Sequence, residues 1–279
     1  MRARWAVLGM VPFAVLLCFA FLVRPPPVPA APPPELSVLV GVLTRPEKYA
    51  SRHLLRLVYG TQPAAPLAQV DVRFVLCRLA TDEQRLLVAL EILRFGDVIV
   101  LNCTENMNSG KTHTFFSSLP GILPRRYDYV MKADDDAFIR VAPLAAALRP
   151  LSRHDLYFGY GIPCAGEDPY AGYMSGMGYA LSWDLVEWIA ASDIPVAELR
   201  GPEDKLVGRW LDRGKKAAHR HTAKRAMYDY PGVNGRCSHE LLPETVAVHR
   251  LKTPERWTTV LRFFNATAAL PPSKLYRFD

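Results

Sequence analysis

The stretch Leu36-Ser-Val-Leu-Val-Gly-Val-Leu43 is apolar at almost every position. A half-exposed strand alternates apolar and polar side chains; a strand buried on both faces does not. This run therefore reads as a first strand that must be covered on both sides. The chain that follows supplies the cover. Thr44 to Tyr59 fits a helix, with Arg52 and Arg56 one turn apart on one face. Asp71-Val-Arg-Phe-Val-Leu76 reads as a second strand. Thr81-Asp-Glu-Gln84 has the spacing of a capping box and opens a helix to about Arg94. Asp97-Val-Ile-Val-Leu101 is a third strand, and a polar loop from Asn102 to Gly110 leads into a helix near Lys111 to Leu119. Tyr127 to Ala133 is a fourth strand, and Pro143 sits early in the next segment, as a helix-starting proline does. The alternation predicts an α/β fold with a largely parallel sheet flanked by helices. No Gly-x-Gly-x-x-Gly follows the first strand, so the dinucleotide fingerprint is absent.

The fourth strand ends in Asp134-Asp135-Asp136. Three adjacent carboxylates repel one another, and a hard divalent cation held by oxygen ligands would relieve that repulsion. The alternative is an acidic turn that binds nothing. Binding sites in open α/β sheets lie beyond the carboxyl ends of strands, which favours a site here. The second half is less regular. Gly172 to Ser182 is rich in glycine and aromatics, and Tyr173 or Tyr179 could flank a sugar or a base. Trp183 to Ala191 is amphipathic. Glu203 and Asp204 open a helix, where acids often serve only as partners of the helix dipole. Val246 to Arg250 is a short strand carrying His249, and Thr253-Pro254 starts a helix to about Phe264. One chemistry uses the triplet, the Glu-Asp pair and the histidine together. In metal-assisted transfer from a phosphorylated donor, a cation bridges a diphosphate and a separate carboxylate takes the proton of the incoming hydroxyl.

The formal charge of +7 gathers partly in the run from Arg213 to Arg225. That run lacks interleaved aromatics and no nucleic-acid motif accompanies it, so no nucleic-acid partner is expected. It reads as a solvated basic face or a surface that attracts acidic ligands. Trp5 to Val23 is uncharged, follows Arg2 and Arg4, and at about 19 residues suffices to cross a bilayer. A cleaved signal peptide is the rival, with a shorter apolar core and a small-residue cleavage site. The expected organisation is a cytosolic tail at 1–4, a transmembrane signal-anchor at 5–23, a proline-rich stem at 24–34 and a luminal domain at 35–279. In an oxidising lumen the even set Cys77, Cys103, Cys164 and Cys237 invites pairing. Cys164–Cys237 is the expected bridge, with Cys77 and Cys103 as buried thiols at strand ends. No Cys-x-x-Cys spacing supports a zinc site. Asn102-Cys-Thr104 and Asn265-Ala-Thr267 are glycosylation sequons.

Five ordered blocks now carry a resemblance. Ser51-Arg-His-Leu-Leu-Arg-Leu-Val-Tyr-Gly60, Gly110-Lys-Thr112, Lys132-Ala-Asp-Asp-Asp-Ala-Phe138, Ser175-Gly-Met-Gly-Tyr-Ala-Leu-Ser182 and Glu203-Asp204 resemble the signature blocks of the β1,3-galactosyltransferase-like family of inverting glycosyltransferases. The first block departs from the family pattern at Ser51 and Val58-Tyr59, and Asn102 stands where an Asp is common. The resemblance implies a GT-A type, Rossmann-like fold and a Golgi type II hexosyltransferase. It would move galactose from UDP-galactose, or another UDP-hexose, to a hydroxyl of a glycan or glycoprotein in β1,3 linkage. By the same match Asp136 and His249 would bind Mn²⁺, and Asp134 and Asp135 would face the nucleotide sugar. Arg52, Arg56 and Lys111 would help hold the uridine diphosphate. Asp204 would be the base, with Glu203 beside it. The alternatives are a β1,3-N-acetylglucosaminyltransferase and a non-catalytic carbohydrate-binding relative of the same fold. A calcium-binding adhesion module lacks its Asp-x-Asp-x-Asp-Gly loop here.

Overall fold

The structure is a computed structural model that describes residues 34–271 and 273–275. The proposed tail, anchor and most of the stem lie outside the described residues. Among those described, no helix is long and apolar enough to cross a membrane.

The apolar run forms β1 (Leu36–Leu43), followed by α1 (Tyr49–Gly60), β2 (Ala68–Leu76), α2 (Asp82–Phe95), β3 (Val98–Val100), α3 (Lys111–Ile122) and β4 (Tyr129–Asp134). The expected alternation is present, with shifted bounds. Residues 44–48 are a loop, not the first turn of α1. The capping box at Thr81 and Gln84 is formed as predicted. Beyond β4 come β5 (Phe138–Ile139), α4 (Val141–Leu148), β6 (Leu156–Ile162), β7 (Tyr173–Ser182), α5 (Trp183–Ala191) and α6 (Asp193–Val196). The chain continues through α7 (Glu203–Arg213), β8 (His219–Thr222), β9 (Met227–Asp229), β10 (Ala247–His249) and α8 (Pro254–Phe263).

Seven strands form the main sheet in the order β3-β2-β1-β4-β7-β6-β8. Strands β1 to β4 are mutually parallel, and β7 enters antiparallel to both β4 and β6. Even-numbered residues of β1 (Val38, Val40, Val42) join Tyr129, Met131 and Ala133 in one apolar cluster, with Leu55 of α1 and Val260 of α8. Leu39, Leu43 and Val130 join Phe115, Phe116 and Trp210 in a second cluster on the other face. That division explains the apolar run: both faces of β1 are core. Gly41 is required by the packing, because a Cβ there would meet the Phe115 ring at 2.2 Å. The β1–α1–β2 connection runs to one side of β1 while β4 pairs on the other. The carboxyl ends of β1 and β4 thus flank the switch point of the sheet, where α/β folds place ligands.

A second sheet, β5-β10-β9, is small but decisive for position. The Asp134–Asp136 turn leaves β4 and enters β5 directly. β10 pairs with β5 (Val248 opposite Phe138) and with β9 (His249 opposite Asp229). This pairing carries His249 across more than a hundred residues of chain to the acidic turn.

Two disulfides are formed among the described residues. Cys164–Cys237 is the pair predicted. Cys77 and Cys103 were expected as free thiols and are instead bridged. Their neighbouring strands β2 and β3 are parallel partners, so the chain just past each strand end is adjacent. The two sequon asparagines, Asn102 and Asn265, are exposed.

Candidate active site

A cleft of about 970 Å³ opens at the carboxyl ends of β1 and β4. The three aspartates lie along it, with Thr44, Lys48, Lys111 and the start of α1 opposite and α8 at its rim. Its size suits a nucleotide-sized ligand.

The aspartates do not act alike. His249 Nε2 lies 3.1 Å from an Asp136 oxygen and 3.5 Å from an Asp134 oxygen. Ligand atoms from Asp134, Asp136 and His249 lie within 4.8 Å of one another. His249 Nδ1 donates to Asp229 at 2.7 Å. Asp229 is itself buried and also accepts from Asn234 (2.6 Å) and Arg250 Nε (3.1 Å). A carboxylate behind an imidazole fixes its tautomer and its direction, the usual support of a metal-ligating histidine. Two carboxylate oxygens and one imidazole nitrogen make a donor set that fits a hard or borderline divalent cation. Asp134 thus groups with the candidate metal ligands rather than with Asp135. Asp135 turns the other way and accepts from Thr44 Oγ1 (2.6 Å) and Lys48 Nζ (2.8 Å). The Leu251 amide donates to the Asp136 carbonyl at 2.9 Å, so the histidine strand is also tied to the turn through the backbone.

Burial opposes a charge on His249, but hydrogen bonds to Asp134, Asp136 and Asp229 outweigh it and push its pKa up to about 11. Burial would raise the Asp134 carboxyl, yet Lys132 and His249 hold it down at about 2. Without a cation, a proton on His249 provides the positive charge that the acidic turn requires.

Lys132 interrupts an otherwise apolar strand and is fully buried. Burial opposes its charge, and Asp134 and Glu203 more than compensate, raising its pKa. Its ammonium spends its three hydrogens on Asp134 (2.6 Å), the Gly176 carbonyl (2.7 Å) and Glu203. Glu203 also accepts from Tyr179 OH (2.8 Å) and Thr112 (3.3 Å), and only 8% of it is exposed. Burial raises its pKa against the pull of Lys132. Its neighbour Asp204 is only partly buried; it accepts from the Gly176 amide at 3.0 Å and the Lys205 amide at 2.8 Å. Lys132 and Gly176 therefore join the candidate metal end of the site to the start of α7.

Several expected roles change. Arg52 is fully buried, holds Glu91 in a two-pronged pair and donates to the carbonyls of Arg45 (2.6 Å) and Pro46 (2.8 Å). Arg56 pairs with Glu91 and Asp97 and stacks near Phe74 and Phe95, away from the cleft. Both guanidiniums are consumed in bracing α1 against α2, so neither is placed to touch a diphosphate. Arg52 instead shapes the 44–48 loop of the cleft. Lys111 does line the cleft, but its buried ammonium is engaged by Glu105 and the Thr44 carbonyl. Glu105 is anchored in turn by the Cys77 amide at 2.7 Å, beside the Cys77–Cys103 bridge. Tyr179, a candidate to flank a sugar, is sealed between Phe116 and Tyr157. Gly176 admits no ligand: a Cβ there would meet Glu203 at 2.8 Å and Lys132 at 3.2 Å. Its openness serves the buried charge network.

Sequence reasoning missed Lys132, Asp229, Thr44, Lys48 and Glu105. Lys132 was signalled by a lone charge inside a buried strand. Asp229 ends the apolar-flanked Met227-Tyr228-Asp229, a strand end marked by an acid just as β4 is.

Residues 50–163 match the galactosyltransferase family model. The match spans Arg52 through the acidic turn and stops before Glu203, Asp229 and His249. The β-1,3-galactosyltransferase pvg3 of Schizosaccharomyces pombe is 26% identical over 285 residues, covering 81% of this chain and 74% of the yeast protein. Hydroxyproline O-galactosyltransferase GALT5 of Arabidopsis thaliana is 23% identical over 208 residues, which cover 68% of this chain and 31% of the plant protein. β-1,3-Galactosyltransferase 6 of Mus musculus is 29% identical over 147 residues, covering 46% of this chain and 45% of the mouse protein. The chain thus matches about a third of the plant relative's length and less than half of the mouse relative's. Over residues 50–163 the chain is thus similar to the galactosyltransferase family, and its relatives named here are galactosyltransferases.

Proposed function

We propose that this chain is an inverting hexosyltransferase that moves galactose from UDP-galactose to a hydroxyl of a glycan or glycoprotein acceptor in β1,3 linkage. Its place would be the Golgi lumen, held by a single N-terminal span. The observation that carries the reading is the Asp134–Asp136–His249 cluster, open to a cleft of nucleotide size and backed by Asp229. These residues would hold Mn²⁺, which supplies charge to a diphosphate and to the leaving nucleotide. Lys48 and the first turn of α1 face the same cleft and suit phosphate oxygens. Asp204 carries a carboxylate that is not consumed by a buried cation, and it would take the proton of the acceptor hydroxyl. Glu203, locked on Lys132, positions the start of α7.

The test is a donor screen with Mn²⁺, offering UDP-galactose, UDP-N-acetylgalactosamine and UDP-N-acetylglucosamine, with release of UDP as the signal. Turnover of UDP-galactose that stops on chelation supports the proposal. Preferred turnover of UDP-N-acetylglucosamine would move it to the neighbouring donor class. No turnover of any donor, with UDP still bound, would make the chain a non-catalytic relative.

A further inference from the structure

Helix α2 is apolar on two opposite faces. Its inner face carries Val88, fully buried, and Glu91, which grips Arg52. Its outer face carries Leu86, Leu90 and Leu93, exposed by 64%, 54% and 84%. At 3.6 residues per turn the spacing i, i+4, i+7 sets these leucines in one ridge pointing away from Val88. Phe95, by contrast, turns to the inner side, where the Arg56 guanidinium stacks on its ring. An ordinary surface helix has one apolar stripe, turned inward. A contiguous second stripe on the outside marks a contact surface.

The charges on the flank of the ridge say which contact. Glu83 at the start of α2 and Arg94 at its end are eleven residues apart, close to three full turns, so both stand on the same side of the leucines. Arg85 is paired with Asp82, while Glu83 and Arg94 form no ion pair among the described residues. When two identical helices pack antiparallel about a two-fold axis, each flank meets its own copy in reverse order. Glu83 of each copy then faces Arg94 of the other, on one side of a closed leucine seam. A parallel pairing would put the two charged flanks on opposite sides of the seam, where Glu83 and Arg94 do not meet.

We propose that the outer face of α2 is the interface of a symmetric homodimer, with α2 antiparallel to α2 of a second copy. The leucine ridge supplies the buried area, and two equivalent Glu83–Arg94 pairs fix the direction. The surface is separate from the cleft, so dimerisation leaves both sites open.

The experiment is sedimentation equilibrium of the full chain in a density-matched detergent, across the micromolar range. The wild-type chain is expected to dimerise. Leu90→Glu should abolish the dimer without changing the melting temperature, because the side chain is exposed. Glu83→Arg alone and Arg94→Glu alone should each weaken it at least about tenfold through like-charge contact across the seam. The double variant Glu83→Arg, Arg94→Glu restores opposite charges and should restore dimerisation. A wild-type chain that stays monomeric up to about 100 μM, well above the micromolar affinity that a small interface supports, overturns the proposal. So does a dimer indifferent to Leu90→Glu, or a double variant as weak as the single ones.

Discussion

Two sets of carboxylates meet at Lys132 in this molecule, and they differ in what completes them. Glu203 is sealed under α7 and its oxygens are taken by Lys132, Tyr179 and Thr112. Asp134 and Asp136 face the cleft, where the nearest cation besides Lys132 is a proton on His249. The first cluster is finished by the chain itself. The second is completed by a proton on His249 that a cation entering the cleft can replace. Buried ionic groups with all partners in place serve architecture. Ion-binding carboxylates aimed at an open cavity serve a ligand. Lys132 touches both clusters, so the architecture of one sets the geometry of the other.

The largest expected effect tests that shared lysine. Lys132→Met leaves Glu203 and Asp134 without their buried cation and should cost about 3–5 kcal/mol of stability, read by chemical denaturation. An unchanged midpoint would show that the two clusters are independent. Asp204→Asn should lose at least about a hundredfold in transfer, the low end of what a positioned base contributes, with UDP binding retained. Near-wild-type turnover would remove Asp204 from that role. Glu203→Gln and Asp136→Asn sharpen the contrast as a pair. The first should lower stability by about 1–3 kcal/mol while cation binding persists. The second should lose cation binding while stability stays near wild type. Identical phenotypes would erase the distinction. Asp229→Asn should weaken the cation about 10–100-fold, as removal of a carboxylate behind a ligating imidazole does, measured by titration with Mn²⁺.

The sequence was readable where local rules and global fold agree. β1 to β4 are apolar runs between helices with ordinary start signals, and their parallel order follows from short, regular connections. The second half resisted for a physical reason. β5, β9 and β10 have two or three residues each, too few to show a period. Their pairing is what brings His249 to the acidic turn, and no local feature of Val246-Ala-Val-His249 announces it. The resemblance groups Asp134 with Asp135 toward the sugar nucleotide, and the sequence of a strand-end triplet does not show which way each side chain turns. The backbone turn separates them, sending Asp135 to Thr44 and Lys48 while Asp134 and Asp136 converge on the histidine. The resemblance implies that Arg52 and Arg56 help hold the diphosphate. The acid that consumes both, Glu91, lies on α2, and sequence carries no sign of that contact.

The effect that is smallest per unit of perturbation, a single pH unit, probes the open cluster through its proton. His249 has a folded pKa near 11 against an ordinary 6.5. A group raised in this way contributes stability that is fully present below its unfolded pKa and is lost as pH climbs toward the folded one. The metal-free chain should therefore become less stable between pH 6.5 and pH 9, by at most about 1.4 kcal/mol per pH unit from this group. Asp134, held at about 2, acts in the other direction and at other pH values: its contribution is lost only in acid, below about 4. A bound cation takes the place of the imidazole proton, so saturating Mn²⁺ should flatten the alkaline loss. Melting curves at pH 6.5 and pH 9, with chelator and with Mn²⁺, measure both effects. His249→Gln has no proton to lose and should show neither the alkaline slope in chelator nor its rescue by metal. If that variant and the wild-type chain lost stability in parallel, the proton on His249 would not be what completes the acidic turn, and the contrast between the sealed and the open cluster would have to rest on geometry alone.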